Sequence, residues 1–92
     1  METAVSVIVP VFNGEKTIER CIQSITNQTL CDIEIIVVND GSNDNTASVL
    51  NKICDDRVKV ISQPNSGQGI ARNTGIAAAK GRYIALSTAM IQ

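Results

Sequence analysis

The sequence predicts an α/β fold of parallel strands with helices on both faces, and it does so on two observations. Short, nearly uninterrupted β-branched runs alternate with stretches whose apolar residues recur at helical spacing. Each pair is joined by a turn rich in Gly, Asn, Asp or Ser, so right-handed crossovers give a parallel sheet.

Residues 5–12, Val-Ser-Val-Ile-Val-Pro-Val-Phe, form the first strand, with Pro10 expected at its end. Asn13-Gly14 breaks the chain. Residues 15–27 then place Ile18, Cys21, Ile22 and Ile25 on one helical face. A polar linker, 28–32, leads to a second buried strand at 33–38 and to the turn-rich segment 39–45. The second helix carries Ala47, Leu50, Ile53 and Cys54 on its apolar face, with Ser42 or Asp44 to cap it. Residues 58–61 give the third strand and 63–69 a loop. An Ala-rich helix spans 70–80 and closes at Gly81, with Ala77, Ala78 and Ala79 lying against the sheet. Residues 82–86 give the fourth strand. The expected architecture is a Rossmann-like three-layer sandwich with strand order 3-2-1-4, all 92 residues forming one domain.

Composition narrows the chemistry. The chain has no histidine, which removes imidazole bases, Ser-His-Asp and Cys-His systems and His-containing metal sites. A net charge of −1 and two aromatic residues, Phe12 and Tyr83, exclude a nucleic-acid surface. The three cysteines, Cys21, Cys31 and Cys54, are odd in number and flanked by apolar residues, which predicts buried, reduced thiols and a cytoplasmic setting. No apolar run approaches the ~20 residues of a membrane span, and no signal peptide is expected.

Ligands of open parallel sheets bind beyond the carboxyl ends of the strands, which here gathers residues 10–15, 39–45 and 62–69. Charges on the opposite edge, at 55–57 and 80–82, are expected to be solvated surface. Asp40 follows a buried strand within Asn39-Asp40-Gly41-Ser42. It is either a turn and cap residue, or the acceptor of a uracil N3–H against an apolar wall of Pro10, Val11 and Phe12. Asn13 and Glu15 lie on the same edge as candidate substrate-binding residues. Asn65-Ser-Gly-Gln-Gly69 is a weak phosphate-cradling turn before a helix, and Gly67-Gln-Gly-Ile-Ala-Arg72 lacks the third Gly of a dinucleotide fingerprint. Arg72 either reaches a diphosphate or pairs with Asp40 or Asp44.

Val5-Ser-Val-Ile-Val-Pro-Val-Phe-Asn13, Glu34-Ile-Ile-Val-Val-Asn-Asp-Gly-Ser42, Asn65-Ser-Gly67, Ala71-Arg-Asn-Thr-Gly75 and Gly81-Arg-Tyr-Ile84 together resemble the amino-terminal half of family-two inverting glycosyltransferases. The resemblance implies an A-type fold, a UDP-sugar donor, and an acceptor glycan or lipid-linked sugar in the complete enzyme. It also implies that Pro10 and Phe12 line the nucleobase, that Asp40 reads uracil, and that Asn65, Gly67 and Arg72 lie near the base or diphosphate. Such enzymes continue after this point with an Asp-x-Asp-like cluster for Mn²⁺ or Mg²⁺, whereas here no carboxylate follows Asp56. The chain is therefore expected to be a donor-binding subdomain truncated before the metal-binding and acceptor-binding parts. It should hold no metal and be inactive alone, with self-association through the truncated flank and, in the complete enzyme, a place at the membrane periphery. The alternative is a non-catalytic uridine-nucleotide-binding module.

Overall fold

The computed structural model describes residues 3–27 and 32–87. Expectations placed on residues 28–31, Cys31 among them, and on 88–92 lie outside that range. The elements run β1 (Val5–Val11), α1 (Ile18–Thr26), β2 (Ile33–Asp40), α2 (Thr46–Asn51), β3 (Val58–Gln63), α3 (Gln68–Ala78) and β4 (Tyr83–Leu86). The described strands form one parallel sheet in the order β3-β2-β1-β4, as the alternation predicts.

Strand alternation divides the core in two. Val9 and Val11 of β1 and Ile33, Ile35 and Val37 of β2 face α1 and α2, where they bury Ile18, Ile22 and Leu50. Ile8, Ile36 and Val38 face α3 and pack against Ala71. Helix α3 approaches closely because Gly75 has no side chain: a Cβ there would lie 2.5 Å from Ile8 Cγ2 and 3.3 Å from Val38 Cγ2. Contact is thus made by Ala71 and Gly75, one turn apart on one face. Ala77 and Ala78, expected to face the sheet, are exposed, and Ala79 is half-buried.

Three further expectations are corrected. Pro10 does not end β1, since Ile8 C=O accepts the Ser87 N–H and even-numbered residues of β1 therefore turn toward β4. The N–H that Pro10 lacks falls beyond Leu86, the last residue of β4 in that pairing, so no ladder bond of β4 is lost. Helix α2 ends at Asn51, which strands Cys54 in the following linker; it is exposed, as is Ala47, while Cys21 is half-buried. On the lower edge, Asp55 and Arg57 form an ion pair at 2.9 Å, and Arg57 also donates to Thr26 C=O at the end of α1.

Glu34 is the least expected feature of the lower edge. It is 3% exposed as the second residue of the apolar strand β2. Its carboxylate accepts hydrogen bonds from Ser6 Oγ at 2.6 Å, Lys80 N–H at 2.6 Å and Lys59 Nζ at 2.9 Å, and Ser6 Oγ in turn accepts from Gly81 N–H. The turn from α3 into β4 is fastened there. Strand β4 itself is open, with Tyr83, Ile84 and Leu86 70%, 44% and 47% exposed.

Burial raises the Glu34 pKa, but the hydrogen bonds from Ser6, Lys80 and Lys59 outweigh it and hold the group at about 2 instead of 4.5. A depressed pKa contributes stability above the unfolded value that is lost as pH falls toward the folded one. Urea denaturation should accordingly show about 3 kcal/mol disappearing between roughly pH 4.5 and pH 2. Glu34→Gln should be destabilised at pH 7 and should flatten that part of the profile. An unchanged profile in the variant would remove Glu34 from its role.

Candidate functional site

The carboxyl edge of the sheet is assembled from three chain segments, and most of the bonds between them run from side-chain acceptors to main-chain N–H groups. In the first turn, Asn13 adopts φ +54°, a conformation that Asn tolerates better than most residues. Its N–H donates to Ser42 Oγ at 2.9 Å, and its Oδ1 accepts the Asn43 N–H at 2.7 Å. Gly14 N–H donates to Thr46 Oγ1 at 2.9 Å. Glu15 N–H donates to Asp44 Oδ2 at 3.3 Å, and Glu15 Oε1 accepts from Asn45 N–H at 3.2 Å. Asp44, one of the expected caps, accepts the Thr46 N–H at 2.9 Å and so ties down the start of α2 from just before the N-cap. Its pKa is lowered: burial raises it, and the bonds from Thr46 and Glu15 lower it further than burial lifts it.

The third segment, 63–67, is held by Asp40. This residue is 2% exposed on the face of β2 that looks toward α3. Oδ1 accepts from Gln63 Nε2 and Ser66 N–H, each at 2.9 Å, and Oδ2 accepts from Gly67 N–H at 3.0 Å. Asn65 Nδ2 donates to Asp40 C=O at 3.2 Å. Burial raises the Asp40 pKa, but the bonds from Gln63, Ser66 and Gly67 bring it below the usual carboxylate value. Neither local alternative, turn or cap, describes this: Asp40 is a long-range fastener of the loop that opens α3.

The other candidates are distributed around this fastener. Pro10 is buried and shares the α3-facing side of the sheet with Asp40, its register partner Val38 lying two residues before Asp40. Phe12 is half-buried just past β1. Val11 is 0% exposed and points to the opposite face, into the core with α1, so its backbone alone reaches the edge. Asn65 and Gly67 are exposed in the loop. Arg72 is exposed on α3 one turn in from the helix start, and among the described residues it forms no ion pair with Asp40 or Asp44. The first helical bond of α3 is Ala71 N–H to Gly67 C=O, which leaves the N–H groups of Gln68, Gly69 and Ile70 outside the ladder. Gln63 escaped the sequence reading, because its partners Asp40 and Thr74 are brought to it by the fold.

The carboxylates of this edge do not suit a divalent cation. Asp40 and Asp44 already face N–H and O–H donors, and among the described residues no three of His, Cys, Asp and Glu converge.

This three-layer sheet with its loop-built edge is the A-type glycosyltransferase fold. The chain belongs to glycosyl transferase family 2, whose family model matches residues 6–89. It is 52% identical over 82 residues to the uncharacterized glycosyltransferase EpsJ of Bacillus subtilis (strain 168), covering 87% of this chain and 24% of that protein. Among solved structures, S. aureus TarS 1–349 in complex with UDP-GlcNAc superposes with a TM-score of 0.84 at 33% identity, over 90% of this chain and 25% of that one. The mannosyltransferase PcManGT from Pyrobaculum calidifontis, in complex with GDP-Man and Mn²⁺, gives 0.82 at 26% identity over 91% and 26%. The chain thus spans about a quarter of the length of these relatives.

Gly41 tests the fastening. It sits at φ +71°, and a Cβ there would lie 2.5 Å from Asn65 N and 2.9 Å from Asn65 Cα. Gly41→Ala should cost about 1–3 kcal/mol in denaturation and release the 63–67 loop, seen as faster amide exchange at Ser66 and Gly67. Unchanged exchange at those amides would show that the loop is held without this contact.

Proposed function

We propose that this domain is the donor-binding part of an inverting glycosyltransferase that takes a UDP-sugar, with Pro10, Phe12, Asp40, Asn65, Gly67 and Arg72 forming the nucleotide site. One observation carries the reading: in a family 2 chain, an ionised carboxylate at the end of β2 is held against the loop that starts α3. That arrangement sets an acceptor for a base N–H beside a helix N-terminus that favours a diphosphate. The TarS complex with UDP-GlcNAc supports the choice of nucleotide. In the reaction, an acceptor hydroxyl gives its proton to a carboxylate base and attacks the anomeric carbon. The bond from that carbon to the diphosphate oxygen breaks, UDP leaves with the electron pair, and configuration inverts. Asp40 and Asp44, already bonded to donors, serve neither as that base nor as metal ligands; within this chain the diphosphate is met by Arg72 and the N–H groups of Gln68, Gly69 and Ile70, which among the described residues lie outside the helical ladder.

A second reading, a non-catalytic uridine-nucleotide-binding module, is favoured by the same engagement of Asp40 and Asp44 with N–H and O–H donors, which keeps both from acting as a base or metal ligand. Both readings predict binding, and NMR titration tests it. UDP should be preferred to CDP by about tenfold, since cytosine sets a lone pair where uracil has N3–H. Mn²⁺ should change little, and sugar transfer should be undetectable in this chain. Asp40→Ala should abolish the preference. Equal affinities for UDP and CDP would reduce Asp40 to a loop fastener, and a large Mn²⁺ enhancement would reveal metal ligands other than Asp40 and Asp44.

The open flank of β4, with Tyr83, Ile84 and Leu86, supports weak self-association of this chain through its edge. Sedimentation should show a concentration-dependent mass; a strict monomer up to high concentration would count against it.

A further inference from the structure

The two oxygens of Asp40 are not equivalent. Oδ1 accepts two hydrogen bonds, from Gln63 Nε2 and Ser66 N–H, and Oδ2 accepts one, from Gly67 N–H. A carboxylate oxygen offers about two acceptor sites, so Oδ1 is filled and Oδ2 is half-filled.

The partners differ as much as the oxygens. Gln63, the last residue of β3 and the register partner of Asp40, is itself held: its Oε1 accepts the Thr74 hydroxyl of α3 at 2.7 Å, a proton that Ile70 C=O shares at 3.0 Å. With that proton on the Oε1 side and an acceptor-only carboxylate on the other, the amide turns its NH₂ toward Asp40. Gly67 on the Oδ2 side is exposed, at φ +101°, and a Cβ built on it would meet nothing within 4 Å. The Gly67 N–H can therefore turn aside without displacing a packed side chain, while the Gly67 C=O stays bonded to Ala71 N–H. Gln63 cannot leave without breaking its bond to Thr74.

We propose that Thr74 and Gln63 are positioning residues that reserve Oδ1 for the protein, leaving Oδ2 as the one acceptor that a nucleobase ring N–H takes over from Gly67. Asp40 is 2% exposed, so this exchange is what admits a base to it. Uracil suits a single acceptor, because its one ring N–H lies between two carbonyls. Guanine presents a ring N–H beside an amino group, a pair of donors that needs both oxygens. The Thr74–Gln63–Asp40 chain then selects uridine over guanosine as well as over cytidine. This inference rests on the uridine reading of the site.

The test uses the full chain and its Thr74→Val, Thr74→Ser and Gln63→Met variants, each checked for folding by its ¹H–¹⁵N spectrum. The first readout is the ¹³C titration of the Asp40 side chain. It reports cleanly, because Gln63, Ser66 and Thr74 are neutral, Asp44 is engaged by Thr46 and Glu15, and among the described residues exposed Arg72 forms no ion pair with Asp40. Thr74→Val, which does not touch Asp40, should raise its midpoint toward the ordinary carboxylate value. Gln63→Met should raise it further, and Thr74→Ser should keep the wild-type curve. The second readout is affinity for UDP, CDP and GDP. Both disruptive variants should lower the UDP:GDP and UDP:CDP ratios by about fivefold, the loss of one hydrogen bond, and Thr74→Ser should restore them.

An Asp40 titration unmoved in Thr74→Val and Gln63→Met overturns the proposal, whatever the nucleotides do; Gln63→Met decides alone if Thr74→Val does not fold. Wild-type protein that binds UDP, CDP and GDP alike, or none of them, overturns the uridine reading on which the proposal stands. A wild type that discriminates, with variants that discriminate equally although their Asp40 titration has moved, leaves the uridine reading standing and overturns the relay.

Discussion

A pair of buried carboxylates, one near each end of β2, fixes α3 and with it everything the upper edge can do. Glu34 takes the N–H of Lys80 just past the end of α3, and Asp40 takes the N–H groups of Ser66 and Gly67 just before its start. The lengths agree: six residues of strand rise about 20 Å, and the 11 residues of α3 rise about 16 Å before the flanking residues are added. Between the two ends, Gly75 rests on Ile8 and Val38 with no space for a methyl group. Sliding α3 along the sheet would break bonds at both termini and drive backbone into side chains at the centre. The helix is located along its length as well as in its distance from the sheet.

The energetics explain why carboxylates do this work. Each is 3% exposed or less, and a buried charge without partners would be strongly unfavourable. Each instead accepts three hydrogen bonds, from main-chain and amide N–H groups at Asp40 and from a hydroxyl, an ammonium and a main-chain N–H at Glu34, so that the charged form becomes the preferred one. The main-chain N–H groups among them belong to the turns at the two ends of α3. Turn and carboxylate thus stabilise one another.

Element order, parallel pairing and the 3-2-1-4 sequence of strands were legible because they follow from local periodicity and short connections, which the chain displays residue by residue. The gathering of residues 10–15, 39–45 and 62–69 on one edge followed from topology. What was not legible depends on register. Glu34 reads as a stray charge inside a strand until β1 and β2 are aligned, when it falls opposite Ser6, the other polar residue in an apolar run. That coincidence was the available signal. Gln63 and Thr74 gave none, since one ends an edge strand and the other lies in a helix eleven residues on, and each alone is an ordinary surface residue. Cys54 is misplaced because α2 stops at Asn51, before it, and Ala77 because, although within α3, it follows Gly75 by two residues and so falls about 200° round the helix from the sheet-facing side.

The polar side chains of the upper edge point inward. Ser42, Asn13, Thr46, Asp44, Glu15 and Asp40 each accept a main-chain N–H from a neighbouring segment or turn. They build the edge, and their acceptor atoms are largely consumed in building it. The outward-facing groups are of the opposite kind: the donors of Arg72, the N–H groups at the start of α3 and the half-buried ring of Phe12. A surface whose acceptors are turned inward and whose donors are turned outward is suited to an anionic ligand with a flat apolar part, and a nucleoside diphosphate is such a molecule. Asp40 stands between the two sets. It belongs to the inward-facing scaffold through Oδ1, and on the proposed uridine reading Oδ2 is the atom a base would take over, so that recognition of the base and the folding of the loop would draw on the same carboxylate.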